Sequence, residues 1–147
     1  MFPADDPLSW HEVTPIPEHG MRRHRRFDVC PTEGGLAHID CFFRDSHRSV
    51  DGVETAIHEY AVSADVDMTS ETLVAAAADP RVLPWVECPP AAGSATRIAG
   101  MALADLRPDV RAQFTGTTTC THLNDQLRSL AGVRALLGHL RELERTR

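Results

Sequence analysis

The stretch from Leu36 to Met68, LAHIDCFFRD–SHRSVDG–VETAIHEYAVSADVDM, decides the fold. Its first part alternates, with Ala37, Ile39, Cys41 and Phe43 on one parity and His38, Asp40 and Arg44 on the other. A half-buried strand shows this period of two. A polar run from Ser46 to Gly52 ends it, and Val53–Met68 takes up the alternation again with Tyr60, Val62, Ala64 and Val66. Two long strands joined by a polar turn read as an antiparallel pair.

Upstream, Arg22–Cys30 predicts another strand, and Pro31-Thr32-Glu33-Gly34-Gly35 a turn, so the three form a meander. Residues 69–79 are divided: Thr72, Leu73 and Val74 favour strand, Ala75 to Ala78 favour helix on propensity. Continuity of the meander favours a fourth strand after a turn at Thr69–Glu71, ended by Asp79-Pro80 and Pro84. The remainder reads as helix. Pro89–Met101 is a short one, and Arg107–Phe114, with Pro108 near its start, is a second. Thr119–Glu144 is the longest, its apolar stripe running through Leu123, Leu127, Leu130, Val133, Leu137 and Leu140, with Gly132 and Gly138 as points of weakness. Strands first and helices after define an α+β fold, an antiparallel sheet of about four strands with C-terminal helices packed on one face. Residues 1–20, with Pro3, Pro7, Pro15 and Pro17, read as an extended arm, and 21–147 as a single domain.

Composition narrows the chemistry. A chain of 147 residues suits one core, and 42% hydrophobic with 24% charged residues is globular usage. The net charge of −6 speaks against nucleic acid as the partner. No apolar run is long enough to span a membrane and no apolar leader opens the chain, so a cytoplasmic location is expected. The four cysteines, Cys30, Cys41, Cys88 and Cys120, form no C-x-x-C pair and read as reduced thiols. All 15 basic residues are arginine. Without a lysine the chain has no Schiff-base amine for pyridoxal phosphate or a carbonyl substrate, and no P-loop.

Three sets of polar residues stand out. In the second and third strands Asp45 and His58 fall in register with the apolar face, near the ends of adjacent strands, where a buried carboxylate needs a partner. They read either as an acid/base pair or as a wet, paired rim. In Thr117-Thr118-Thr119-Cys120-Thr121-His122-Leu123-Asn124-Asp125 the threonines suit a helix cap. Cys120 then falls in the first turn, where the helix dipole lowers a thiol pKa, and His122 and Asp125 share a face. Cys120 as a small buried hydrophobe and His122 as a rim residue is the plain alternative. With Cys88 added, Cys120 and His122 make three ligands for zinc or iron, a set that needs one more donor. In the run Arg22-Arg23-His24-Arg25-Arg26, Arg23 and Arg25 share the face of Phe27 and Val29. A protected edge strand explains such a run, and so does recognition of a carboxylate or phosphate.

These residues also carry a resemblance. Cys120-Thr121-His122-Leu123, followed by Asp125 and Leu127, resembles the C-T-H-L-x-[DE]-L signature of an uncharacterised bacterial family, a domain of unknown function. The arginine-rich first strand, Phe43-Arg44-Asp45, His58-Glu59, and Cys88 ahead of a helix leading to Gly100 are similar as well. The resemblance covers roughly residues 22 to 135. It implies a setting near acyl-CoA and aromatic-acid metabolism genes, and no reaction. Thr119 stands where the family usually has glycine, which puts the local backbone in question.

Two functions are expected from these features. One is a small enzyme acting on an acidic or acyl-type molecule without a cofactor, by lyase, hydrolase, isomerase or cyclase chemistry. In it Arg23 and Arg25 bind substrate, His122 is the acid or base, Asp125 or Asp45 orients it, and His58-Glu59 completes the pocket. The other is a non-catalytic accessory, metal-carrying or partner-binding protein, its C-terminal stripe with Leu136, Leu137, Leu140 and Leu143 forming a homodimer or partner surface.

Overall fold

The structure, a computed structural model, describes residues 14–84 and 88–146. Four strands, β1 (Met21–Pro31), β2 (Leu36–Arg48), β3 (Glu54–Asp67) and β4 (Leu73–Val82), form one antiparallel meander in the order β1-β2-β3-β4. Helices follow: α1 (Cys88–Ala91), α2 (Leu106–Gln113), α3 (Thr121–Ser129) and α4 (Val133–Arg145). The α+β architecture is the one expected from the alternation in β2 and β3.

One face of the sheet is the core. Ala37, Ile39, Cys41 and Phe43 of β2 and Tyr60, Val62, Ala64 and Val66 of β3 are buried against Leu123, Leu127, Leu130, Val133 and Leu137 from the helices. Each fully buried leucine removes apolar surface from water to the extent of roughly 2 kcal/mol, so the stripe is what holds helix to sheet. No helix among the described residues is long and apolar enough to cross a membrane.

Three expectations need correction. β4 does not stop at Asp79-Pro80; it runs to Val82, with Pro80 opposite Tyr60. Proline is tolerated there because β4 is an edge strand and the register shifts beside it. The Pro89–Met101 helix is mostly 3-10: after α1 the chain tightens from Ala92 to Ile98 and packs on β4. The small side chains of that run let it approach the strand closely. The longest helix is two, α3 and α4, separated by a 3-10 turn at Leu130–Gly132. Gly132 lies at the break and Gly138 interrupts nothing, while the leucine stripe continues unbroken across it. The N-terminal arm is described only from residue 14, and its last part is docked: Arg48 Nη1 donates to the Ile16 carbonyl at 2.6 Å and the His19 N–H to the Arg48 carbonyl at 2.8 Å.

Two irregularities in the ladder flank one dipeptide. The β2–β3 register shifts after Asp45↔His58, leaving Ile57 as the extra residue, and the β3–β4 register shifts between Glu59 and Tyr60. Bulges increase local twist and re-aim side chains. Both lie at the end of the sheet where α3 begins.

A candidate metal centre beside an arginine–carboxylate cluster

Register alone aligns Arg23, Asp45 and His58 across three strands, because Arg23 pairs with Asp45 on β1–β2 and Asp45 with His58 on β2–β3. All three lie on the helix-covered face, as the parity of Phe43 and Tyr60 predicts. Asp45 and His58 are buried, His58 only 2% exposed. Asp45 receives a bidentate grip from Arg23, Nε to Oδ1 at 2.5 Å and Nη2 to Oδ2 at 2.6 Å. The guanidinium also lies over the Phe43 ring, 5.3 Å from its centroid. Hydrogen bonding to Asp45 raises the Arg23 pKa above its ordinary value.

The helical half arrives through a short loop. Gly116 has φ +79°, a left-handed conformation that turns the chain towards α3. Asn124 then ties the loop to the helix, its Nδ2 donating to the Phe114 carbonyl at 2.9 Å. Cys120 is the N-cap with extended backbone (φ −117°, ψ 130°), not a residue of the first turn as expected, and no threonine side chain caps the helix. The Cys120 carbonyl nevertheless accepts the first helical hydrogen bond, from the Asn124 N–H at 2.8 Å. This extended cap matters. Two residues two apart within a helix diverge, whereas a residue outside it and one inside it can converge. Thr119, where glycine is usual in the resemblance, is not among the residues of positive φ; the left-handed step is taken at Gly116 instead.

The result is a cluster of His58, Cys120 and His122 whose ligand atoms all lie within 4.8 Å of one another. The His58 and His122 rings meet edge to face, centroids 4.0 Å apart at 76°, and His58 is also packed edge-on against Phe43, 5.6 Å away. Neither ring nitrogen of His58 has a hydrogen-bond partner among the described residues, although both are buried. A buried imidazole with donor and acceptor both unmet is costly, and such a group calls for a ligand. Burial, followed by the neighbouring His122, pushes the His58 pKa down to about 4; burial also lowers that of His122, against the pull of Asp45. Both imidazoles are therefore neutral at neutral pH, the form that binds a metal.

Two imidazoles and a thiol are borderline and soft donors, suited to zinc and other late transition metals and not to calcium or magnesium. Tetrahedral zinc, with bonds of about 2.0–2.3 Å, places its ligand atoms roughly 3.5 Å apart, so an ion held here would draw the set in by about 1 Å. Three protein ligands leave a fourth position open.

Next to this cluster lies a network of charge. Asp125, three residues beyond His122 on α3, accepts from Arg23 Nη1 at 2.7 Å, from Arg25 Nη2, and from Arg128 Nη2 at 3.1 Å. Its burial opposes ionisation, but the Arg25 charge and the hydrogen bonds from Arg25 and Arg128 outweigh that and leave its pKa below the usual carboxylate value. The site thus unites Arg23, Arg25, Asp45, His58, Cys120, His122 and Asp125.

Glu59 is not brought to it. As the next residue on β3 it faces the opposite side of the sheet, where Arg44 Nε donates to it at 2.6 Å. That is the expected consequence of alternation, and grouping it with His58 crossed the sheet. Cys88, the other expected ligand, has its side chain outside the described residues; among those described it is His58 that lies with Cys120 and His122. Sequence reading missed Arg128 and Asn124. Arg128 lies three residues after Asp125, a spacing that signals an ion pair on a helix.

A four-stranded antiparallel meander with helices on one face, and a histidine–cysteine–histidine cluster where the sheet meets α3, define the class. The chain belongs to the family described as Protein of unknown function (DUF2889), whose match covers residues 21–135, from β1 into α4 and across every residue of the site. No curated protein and no solved structure matches the chain.

Proposed function

We propose that the protein is a metal-dependent enzyme acting on a small acidic or acyl-type molecule, with one transition-metal ion, zinc before iron, held by His58, Cys120 and His122. The observation that carries this reading is the convergence of three ligand atoms within 4.8 Å around a buried His58 whose ring nitrogens are otherwise unpartnered. A metal in such a three-ligand site supplies Lewis-acid polarisation and a bound water of lowered pKa. The chain's own residues do the rest. Asp45 places a buried negative charge beside both imidazoles, favouring a cation there, and Arg23 holds that carboxylate in one geometry. Phe43 packs against His58 and keeps one side of the cluster dry. His122 would hold the ion and so would not serve as the acid or base, and the metal would supply that chemistry in its place.

Turnover tests the reading. Zinc-loaded and chelator-treated protein are assayed against esters and thioesters of small carboxylic acids. Hydrolysis of at least one that is lost on chelation, restored by zinc and absent in His122→Ala is expected. A metal-loaded protein that turns over none of them contradicts the catalytic part.

The non-catalytic reading has one supporting observation, the exposure of Leu136 and Leu143 on α4, seven residues apart and so on one face. A homodimer through α4 follows from it, and sedimentation of the parent against Leu143→Glu decides it: a dimer that the substitution dissociates supports that surface, and a monomeric parent removes it.

A further inference from the structure

We infer that Arg25 and Arg128, with Arg23 behind them, form a seat for the anionic group of the substrate, a carboxylate or a phosphate, and that Asp125 occupies this seat when no ligand is bound. The inference rests on the metal reading for its purpose, since the seat sets an anionic end next to the metal position. It does not rest on it for its existence, because none of its residues is a metal ligand.

Three guanidinium groups converge on one carboxylate, Asp125, while Arg23 already grips Asp45 with two of its nitrogens. Three cations against two carboxylates leave one formal positive charge, in a chain whose net charge is −6. One carboxylate can take two arginines, as Glu71 does with Arg134 and Arg141, but here the three guanidinium groups also carry more donors than the two carboxylates use. Among the described residues Arg25 donates only to Asp125, through one nitrogen, and its remaining donors meet no other carboxylate of the chain. An arginine fork matches two oxygens presented side by side. Asp125 is held at the surface: its side chain is 35% exposed, against 8% for Asp45. Partly exposed ion pairs are individually weak, so an incoming carboxylate or phosphate can displace Asp125 into solvent, whereas Asp45 stays.

The location fits a substrate. Asp125 lies on the same face of α3 as the ligand His122, and Arg25 stands opposite Phe43 on β1–β2, the ring that packs against His58. A molecule bridging the seat and the open metal position spans one end of the sheet.

Calorimetric titration of acetate and of inorganic phosphate, at low ionic strength, tests this on the protein as purified and after chelation. The parent, Asp125→Asn, Arg25→Gln and the double variant are compared. Asp125→Asn removes the internal competitor and is expected to bind at least one probe about tenfold more tightly than the parent. Adding Arg25→Gln returns the affinity to that of the parent or below. The probe that gains identifies the anion as carboxylate or phosphate. Thermal melting shows whether Asp125→Asn is folded, and Asp125→Ser is judged by the same criterion if it is not. Binding by the Asp125 variant no tighter than the parent, tight binding that survives Arg25→Gln, or no binding of either probe by any form overturns the inference. A chain that takes up no metal but shows the Asp125→Asn gain defeats the metal reading and leaves the seat standing.

Discussion

Arg23 serves two carboxylates of unequal burial, and the inequality makes a sharp prediction. Asp45→Asn keeps the volume of the side chain and removes its charge. The bidentate contact at 2.5 and 2.6 Å is then lost, and a guanidinium is left beside a buried amide. Breaking a buried ion pair costs about 3–5 kcal/mol, but Arg23 is 36% exposed and keeps Asp125, which reduces the expected loss to about 2 kcal/mol. For a domain of this size that is a fall in Tm of roughly 6 °C, with the denaturant m-value unchanged. Asp125→Asn removes a contact of similar length, yet its half-exposed carboxylate limits the loss to less than about 1 kcal/mol. Urea unfolding of both variants, followed by circular dichroism, provides the comparison. Equal losses, or an Asp45→Asn protein within about 0.5 kcal/mol of the parent, refute the burial and pairing on which the site is built.

Other outcomes follow from the same geometry. In metal-free protein His58, with its pKa pushed down to about 4 from an ordinary 6.5, refuses a proton that the unfolded chain accepts. Its contribution is therefore intact above about pH 6.5 and is lost as pH falls towards 4, by about 3 kcal/mol at most, with His122 acting in the same sense. Urea midpoints of the parent should drop over that range more steeply than those of His58→Gln, and identical slopes contradict it. A disulfide-exchange reagent should label exposed Cys30 first, and label Cys120 in metal-free protein but not when zinc is bound. Cys41, its thiol pushed up to about 12 by burial, should wait for unfolding, and its labelling in folded protein is the contrary result. Gly116→Ala forces a side chain into a left-handed turn (φ +79°) and should cost about 1–2 kcal/mol while weakening zinc uptake, read by melting and by competition with a chromogenic chelator. An alanine there that leaves both unchanged shows that the loop does not deliver Cys120.

Much of the architecture is legible in period-two alternation, which also placed Asp45 and His58 on the buried face. The ambiguous Thr72–Ala78 run resolves as strand because its neighbour β3 offers an unpaired edge, a tertiary effect that overrides the helical propensity of four alanines. Helix ends were less legible. A cap depends on backbone angles, so the sequence sets Cys120 one residue too far into α3, and at Leu130–Gly132 only Gly132 marks the break, because the apolar stripe stays continuous through it. The site was legible as residues but not as a set. His58 and Cys120 stand 62 positions apart, and only the β2–β3 register together with the extended cap brings them within reach. The sequence suggests Arg23 and Arg25 as substrate-binding groups; Arg23 is held chiefly by Asp45, which no local pattern announces.

Zinc stoichiometry is the most direct test of the metal centre. Protein made without an affinity tag, stripped with chelator and dialysed against zinc, is analysed for metal beside His58→Ala, Cys120→Ala and His122→Ala, each checked for folding by circular dichroism. One zinc per chain in the parent, and loss of it in all three folded variants, is the expected result. A parent that retains no zinc, or a His58→Ala protein that binds it as well as the parent, contradicts the assignment of these three residues as ligands.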